Sequence, residues 1–305
     1  MSTPHRHIQD IHTQRSSRLL LSLVITLGFV FFEAISGIFA NSLALLTDAA
    51  HNLTDVIALA LSWHAIRLAL RPANAQRTYG YHRAGILIAF VNAASLGGVA
   101  ILVGIEAFHR FQQPLMVKSE LMTITSGLAF VINLVTAWII KKDSHADLNL
   151  RSAYVHLMGD VLSTLGAFAA GIAIIFTGFN WLDPLTSLLI VLIILWNAWK
   201  ILKESSVILL EGTPSDIELS SLVQSIKDIP GVLDVHDLHV WSITNEMRSL
   251  SVHIVTEDMP LSHAAVLQNQ IQDMLEGQFH IYHATIQLES QSCDPAYLYC
   301  NLTMK

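Results

Sequence analysis

Long apolar runs fill the first two thirds of the chain, and a different rhythm takes over near residue 212. A helix needs about 20 apolar residues to cross a hydrocarbon core. Six runs qualify: Leu19–Ala40, Ser42–Leu70, Ile86–Phe108, Leu121–Ile140, Ala153–Thr177 and Leu182–Leu202. After them the pattern predicts α-β-β-α-β: a helix over Ser215–Asp228 stopped by Pro230 and Gly231, strands Val235–Ser242 and Leu250–Val255, a helix Ser262–Leu275, and a strand Ala284–Leu288. In the second strand Leu250, Val252 and Ile254 alternate away from His253. In the third, Ala284, Ile286 and Leu288 alternate away from His283, Thr285, Gln287 and Glu289. The sheet therefore presents one apolar face to its helices and one polar face bearing His and Glu. The fold class is an all-α bundle of six transmembrane helices followed by a small α/β domain. Residues 1–18 read as a tail, 19–206 as the bundle, 213–290 as the α/β domain and 291–305 as a second tail.

Composition agrees with the pattern and adds orientation. Only 13% of the 305 residues are charged and 52% are hydrophobic, against about 25% charged in a soluble domain. Thr213 to Lys305 holds twelve Asp/Glu and three Lys/Arg, so the preceding part is slightly positive. An acidic domain suits cations and argues against a nucleic-acid partner. Lys/Arg asymmetry places both termini in the cytoplasm. On that side lie Arg6, Arg15, Arg18, Arg71, Arg77, Arg83, Lys141, Lys142, Arg151, Lys200 and Lys203, and outside only Arg110 and Lys118. The expectation is a multi-pass protein held among membrane lipids. Cys293 and Cys300 make no disulfide framework, and the polar start of the chain does not read as a signal peptide.

Acidic residues inside such runs are costly: an Asp at the centre of a membrane helix costs roughly 2.5–3.5 kcal/mol on insertion scales. The second run carries Asp48, His51 and Asp55, and the fifth carries His156 and Asp160. In each His-x-x-x-Asp pair the two residues share one helix face, about 6 Å apart along the axis. Two such faces together offer two imidazoles and two carboxylates, a donor set that tetrahedral Zn²⁺ accepts. A lone polar residue in a membrane helix is more often glue between helices, and Asn92, Asn133, Ser36 and Asp183 are read that way. Asp48 lies one turn before His51, where it could orient that imidazole or line the approach to it. The segment boundaries leave His156/Asp160 a turn or more nearer the cytoplasm than His51/Asp55. Helix tilt, or a fifth helix starting near Asp147, would close that gap.

Several stretches resemble the cation diffusion facilitator family in its zinc-transporting branch: Phe32–Asp55, Arg77–Leu87, Tyr154–Asp160, Trp181–Ile190 and Val235–Thr244. The resemblance implies a homodimer that exports cytosolic zinc in exchange for protons by alternating access. It implies a transport site at His51, Asp55, His156 and Asp160, with His51 favouring zinc. It also implies a metallochaperone-like cytoplasmic C-terminal domain that dimerises and binds metal in many members, and a bacterial inner membrane as the setting. The chain lacks the long His-rich loop of many relatives, since Lys141–Arg151 has only His145. Its cysteines do not form a Cys-x-x-Cys tail, and near the loop after the second helix only His82 offers a ligand.

Imidazole binds metal only when neutral, so such a site exchanges metal for protons near the reference His pKa of about 6.5. In the α/β domain the candidate ligands for a regulatory zinc are His236, His239, His253, His263, His283 and Glu289. His253 and Glu289 share the polar face, and His236 matches a metal-binding position of the family. Packing beside Trp241 is the other reading of His239. Where some relatives have a further ligand His, this chain has Gln287. His5, His7 and His12 read as part of a flexible tail. The competing readings are transport of cadmium, cobalt, iron or manganese, and a membrane metal sensor without transport. An enzyme is disfavoured: each His has an Asp partner one turn on, and no His-Glu-x-x-His occurs.

Overall fold

The computed structural model describes residues 27–141, 148–291 and 298. His5, His7, His12, His145, Cys293 and Cys300 lie outside the described residues. The first apolar run is a helix over Leu27–Ala40 (α1) as far as it is described. Five longer helices follow: α2 (Leu43–Ala69), α3 (Ala84–Gln112), α4 (Ser119–Lys141), α5 (Leu148–Thr177) and α6 (Leu182–Leu209). Each is long and apolar enough to cross a membrane. Without water to satisfy the backbone, a spanning segment must close its own hydrogen bonds, and the helix does so.

Boundaries differ from the hydropathy reading where polar residues continue a helix. The fifth helix starts at Leu148 instead of Ala153, and the sixth continues through Lys203, Glu204 and Ser205 to Leu209. Helical hydrogen bonding does not stop where the apolar run stops. α5 ends at Gly178, whose φ of 71° other residues adopt only with strain.

The chain forms two compact units, Met1–Leu61 with Val91–Lys200, and Ser62–Phe90 with Ile201–Lys305. In the first, small residues let helices approach closely. Ala40, Ala44, Leu45, Met122, Ala167, Ala170 and Ile174 join the end of α1 to α2, α4 and α5, while Leu96, Ala100, Ile190, Val191 and Ile194 join α3 to α6. A Cβ added at Gly171 of α5 would stand 2.5 Å from Thr123 Oγ1 on α4. Phe31, Ile38, Leu102, Trp138 and Trp196 are exposed, as suits side chains that meet lipid.

The first turn of α2 is capped from α6. Asp183 Oδ2 accepts from the Leu43 amide at 2.7 Å, and Oδ1 accepts from the Ala44 amide at 3.2 Å and the Ser42 hydroxyl at 2.5 Å. A helix start carries unpaired N–H groups and partial positive charge, so a carboxylate there satisfies both. Asp183 is glue between helices, and specifically a cap.

The second unit contains α7 (Leu219–Lys227), β1 (Val232–Ser242), β2 (Arg248–Thr256), α8 (Leu261–Phe279) and β3 (His283–Glu289). α7 starts four residues later than the sequence suggests, because a turn from Pro214 to Ile217 precedes it. The sheet order is β1-β2-β3. β1 pairs antiparallel with β2, and β2 pairs parallel with β3 through the α8 crossover. Leu250, Val252 and Ile254 pack with Leu222, Ile226, Leu267, Ile271 and Leu275 from the helices. The opposite face keeps the polar positions.

Candidate metal sites

The face of α2 that carries Asp48, His51 and Asp55 is built by three- and four-residue spacing. His51 Nε2 lies 3.7 Å from Asp55 Oδ2 and 3.4 Å from Asp160 Oδ1 of α5. Two ligands of one tetrahedral Zn²⁺, each about 2.0–2.2 Å from the ion, stand about 3.4 Å apart. The side chains of His51 and Asp160 are nearly buried, at 11% and 10% exposure. His156 lies in α5 one turn before Asp160, and its side chain is outside the described residues. α5 starts at Leu148, beside the Asp147 start that is one of the two ways to close the depth gap.

Asp48 is hydrogen-bonded by other partners. Ser163 Oγ donates to its Oδ1 at 2.9 Å, and Asn52 Nδ2 donates to its Oδ2 at 3.3 Å. The same Asn52 nitrogen donates to Glu33 Oε2 at 3.4 Å, and Glu33 is fully buried in α1. Sequence reasoning did not single out Glu33, Asn52 or Ser163. The insertion-cost argument could have found Glu33, the only charged residue in Leu19–Ala40.

In the α/β domain, register sets the second cluster. His236 of β1 stands opposite His253 of β2, and Glu289 of β3 pairs with Val255, two residues along from His253 and on the same face. Glu289 offers one oxygen to each imidazole: Oε1 lies 2.9 Å from His253 Nδ1 and Oε2 lies 3.2 Å from His236 Nε2. Neither contact has hydrogen-bond direction. One ligand atom from each of the three lies within 4.8 Å of the others. His236 is buried, so a cation held there would be shielded from water on that side.

The neighbours of this triad are ordered around it. β1 bulges between His236 and His239, and Asp237 in the bulge has φ +48°. Its carboxylate reaches His239 Nε2 at 3.1 Å and His253 Nε2 at 3.5 Å. His239 thus sits one contact away from the triad. Gln287 Nε2 donates to Glu289 Oε1 at 2.6 Å, so it positions the carboxylate. His263 is exposed on α8, and His283 is exposed at the start of β3 against the edge of the Tyr79 ring, 5.9 Å between centroids. The structure brings neither into the triad. Sequence reasoning did not single out Asp237, because an acidic residue in a strand of an acidic domain carries no special mark.

Comparison with known proteins gives the family. The cation efflux transmembrane domain matches residues 19–210, and the cation efflux protein cytoplasmic domain matches residues 214–291. A cadmium, cobalt and zinc/H(+)-K(+) antiporter of Bacillus subtilis is 39% identical over 277 residues, 90% of this chain and 89% of that one. The zinc transporter ZitB of Escherichia coli is 38% identical over 290 residues, 94% of this chain and 91% of that one. Among solved structures, the metal-bound C-terminal domain of the CzcD transporter of Cupriavidus metallidurans is 37% identical; it covers 24% of this chain and 99% of its own, with a TM-score of 0.22.

Proposed function

The chain belongs to the cation efflux family, and from that premise we propose that it exports Zn²⁺ from the cytoplasm in exchange for protons. It is an integral membrane protein of metal-cation efflux, with transport and not a chemical conversion as its activity. The observation that carries the finer reading is the approach of Asp55 and Asp160 to one nitrogen of His51, at 3.7 and 3.4 Å, inside membrane helices. His156 is the fourth ligand in this reading, one turn from Asp160.

The mechanism follows from the donor set. Zinc loads from the cytoplasm onto neutral imidazoles and two carboxylates, which balance its charge. On the outer side protons compete for the same nitrogens, and the cation leaves. Alternating access supplies the switch of exposure. The protein acts as a homodimer in the plasma membrane of a bacterium, with both termini cytoplasmic. His236, His253 and Glu289 hold a regulatory zinc, which would cross-link three strands through ligands of the right type.

Two observations bear on the cargo. Two imidazoles disfavour manganese, which prefers oxygen donors. The B. subtilis relative's name includes cadmium and cobalt, and these are the second reading for cargo. The test is zinc and cadmium uptake into liposomes with an internal pH reporter. Parent protein should move protons against zinc, and Asp55→Ala should not. Normal exchange in Asp55→Ala would sink the site assignment, and zinc binding without stoichiometric uptake by the parent would mark a sensor.

A further inference from the structure

The end of α2 and the loop after it carry three arginines that no carboxylate holds. No Asp or Glu occurs between Asp55 and Glu106, a stretch that contains Arg67, Arg71, Arg77 and Arg83. In the compact unit to which this loop belongs, Arg83 pairs with Glu211, Lys227 with Asp234 and Arg248 with Asp216. Arg67, Arg71 and Arg77 are exposed and form no ion pair among the described residues. The loop is ordered by its own contacts. The Arg67 guanidinium lies over the Trp63 ring, 3.9 Å from its centroid, and that of Arg77 lies over Tyr81 at 4.9 Å. Stacking uses the flat face of a guanidinium and leaves its N–H edge free to grip an oxyanion. Asn74 and Arg77 exchange backbone hydrogen bonds, and Asn74 Oδ1 accepts from the Gln76 and Arg77 amides at 3.0 Å, which fixes the turn. Gly80, with φ +68°, brings the chain back past Arg71, whose carbonyl oxygen lies 3.9 Å from where its Cβ would stand. Apolar surface belongs to the same stretch: Leu70 is 80% exposed and Trp63 56%.

We propose that the end of α2 and this loop bind the headgroup phosphate of an anionic phospholipid. α2 is long and apolar enough to cross a membrane and ends at Ala69, so the loop emerges at the level of the headgroups. Arg67, Arg71 and Arg77 supply guanidiniums whose paired N–H groups match the two free oxygens of a phosphate diester. Trp63 and Leu70 meet the acyl chains beneath, as aromatic side chains do at the membrane boundary. A soluble anion would use the guanidiniums and leave Trp63 and Leu70 in water, so the lipid fits the whole surface and the anion only half of it. The orientation of a membrane protein accounts for an excess of positive charge on one side. It asks neither for arginines stacked on rings nor for a loop free of acidic residues. The lipid site shares no residue with either metal cluster, and it does not depend on the antiport reading.

Native mass spectrometry of full-length protein in neutral detergent, titrated with phosphatidylglycerol and separately with phosphatidylcholine, gives the affinity for each lipid. Parent protein should favour phosphatidylglycerol. Each arginine near an anionic headgroup contributes roughly fivefold, so a variant combining Arg67→Gln, Arg71→Gln and Arg77→Gln should bind phosphatidylglycerol roughly a hundredfold more weakly. Its affinity for phosphatidylcholine should match that of the parent. Equal affinity of the parent for the two lipids would overturn the proposal, and so would a loss in the triple variant below about fivefold, the share of one arginine. Inorganic phosphate at matched concentration should leave the lipid bound. Displacement by it would assign the arginines to a soluble phosphate ion and overturn the lipid reading. Should the triple variant not fold, Arg71→Gln alone, at a side chain stacked on no ring, should still lose about fivefold. An unchanged affinity there overturns the proposal equally.

Discussion

Asp183→Ala removes the carboxylate with which α6 caps the start of α2. The Leu43 and Ala44 amides then lose their partner at a buried position, as does the Ser42 hydroxyl, although Ser42 Oγ keeps its contact from the Leu45 amide at 3.3 Å. Loss of a helix cap costs about 1–2 kcal/mol, and each buried donor left without an acceptor costs about 1–3 kcal/mol. Side-chain hydrogen bonds inside membranes are worth less, about 0.6 kcal/mol on average. Together these place the loss at about 2–4 kcal/mol. Asp183→Asn keeps one acceptor oxygen and should lose about half as much. The assay is reversible unfolding in mixed micelles, followed by tryptophan fluorescence, for parent and both variants. A loss below about 0.5 kcal/mol for the Ala variant would refute the capping argument. The same cap fixes where α2 begins, and with it the placement of His51 and Asp55 two to three turns later. Zinc uptake should therefore fall in the Ala variant even under conditions where the protein remains folded.

Other outcomes are expected from the same geometry. His51→Asp exchanges a nitrogen donor for oxygen and should raise uptake of manganese relative to zinc, read by competition in liposomes. His236→Ala should remove one bound zinc per protomer and Asp55→Ala a different one, with the losses adding in the double variant, measured by metal content after dialysis. Gly171→Ala forces a methyl against Thr123 Oγ1 and its backbone, at 2.5 and 3.2 Å, which should cost about 1–3 kcal/mol. Pairing it with Thr123→Ala should recover part of that loss in a double-mutant cycle. Ile254→Ala opens a cavity in the fully buried centre of the sheet and should cost about 2–5 kcal/mol, read by heat unfolding of the full chain.

Legibility followed the physics of each element. Membrane helices announce themselves by length and apolarity, and the charged residues within them announce a function because lipid makes them costly. That cost marks His51, Asp55, His156 and Asp160 as candidates, and it marks Glu33 by the same rule. In the C-terminal domain, alternation assigned His253 and Glu289 to one face, since successive side chains in a strand point to opposite sides. Alternation does not say which residues stand side by side. That depends on register, which long-range pairing decides. Only the tertiary structure therefore set His236 opposite His253, put Glu289 between them, and left His263 and His283 outside. Likewise helical periodicity shows the face a residue occupies and is silent on the neighbour across it. The approach of Asp160 to His51, the Asp183 cap on α2, and the Asn52–Glu33 hydrogen bond all join residues far apart in the chain. Such contacts depend on how whole helices pack, and no local pattern encodes that.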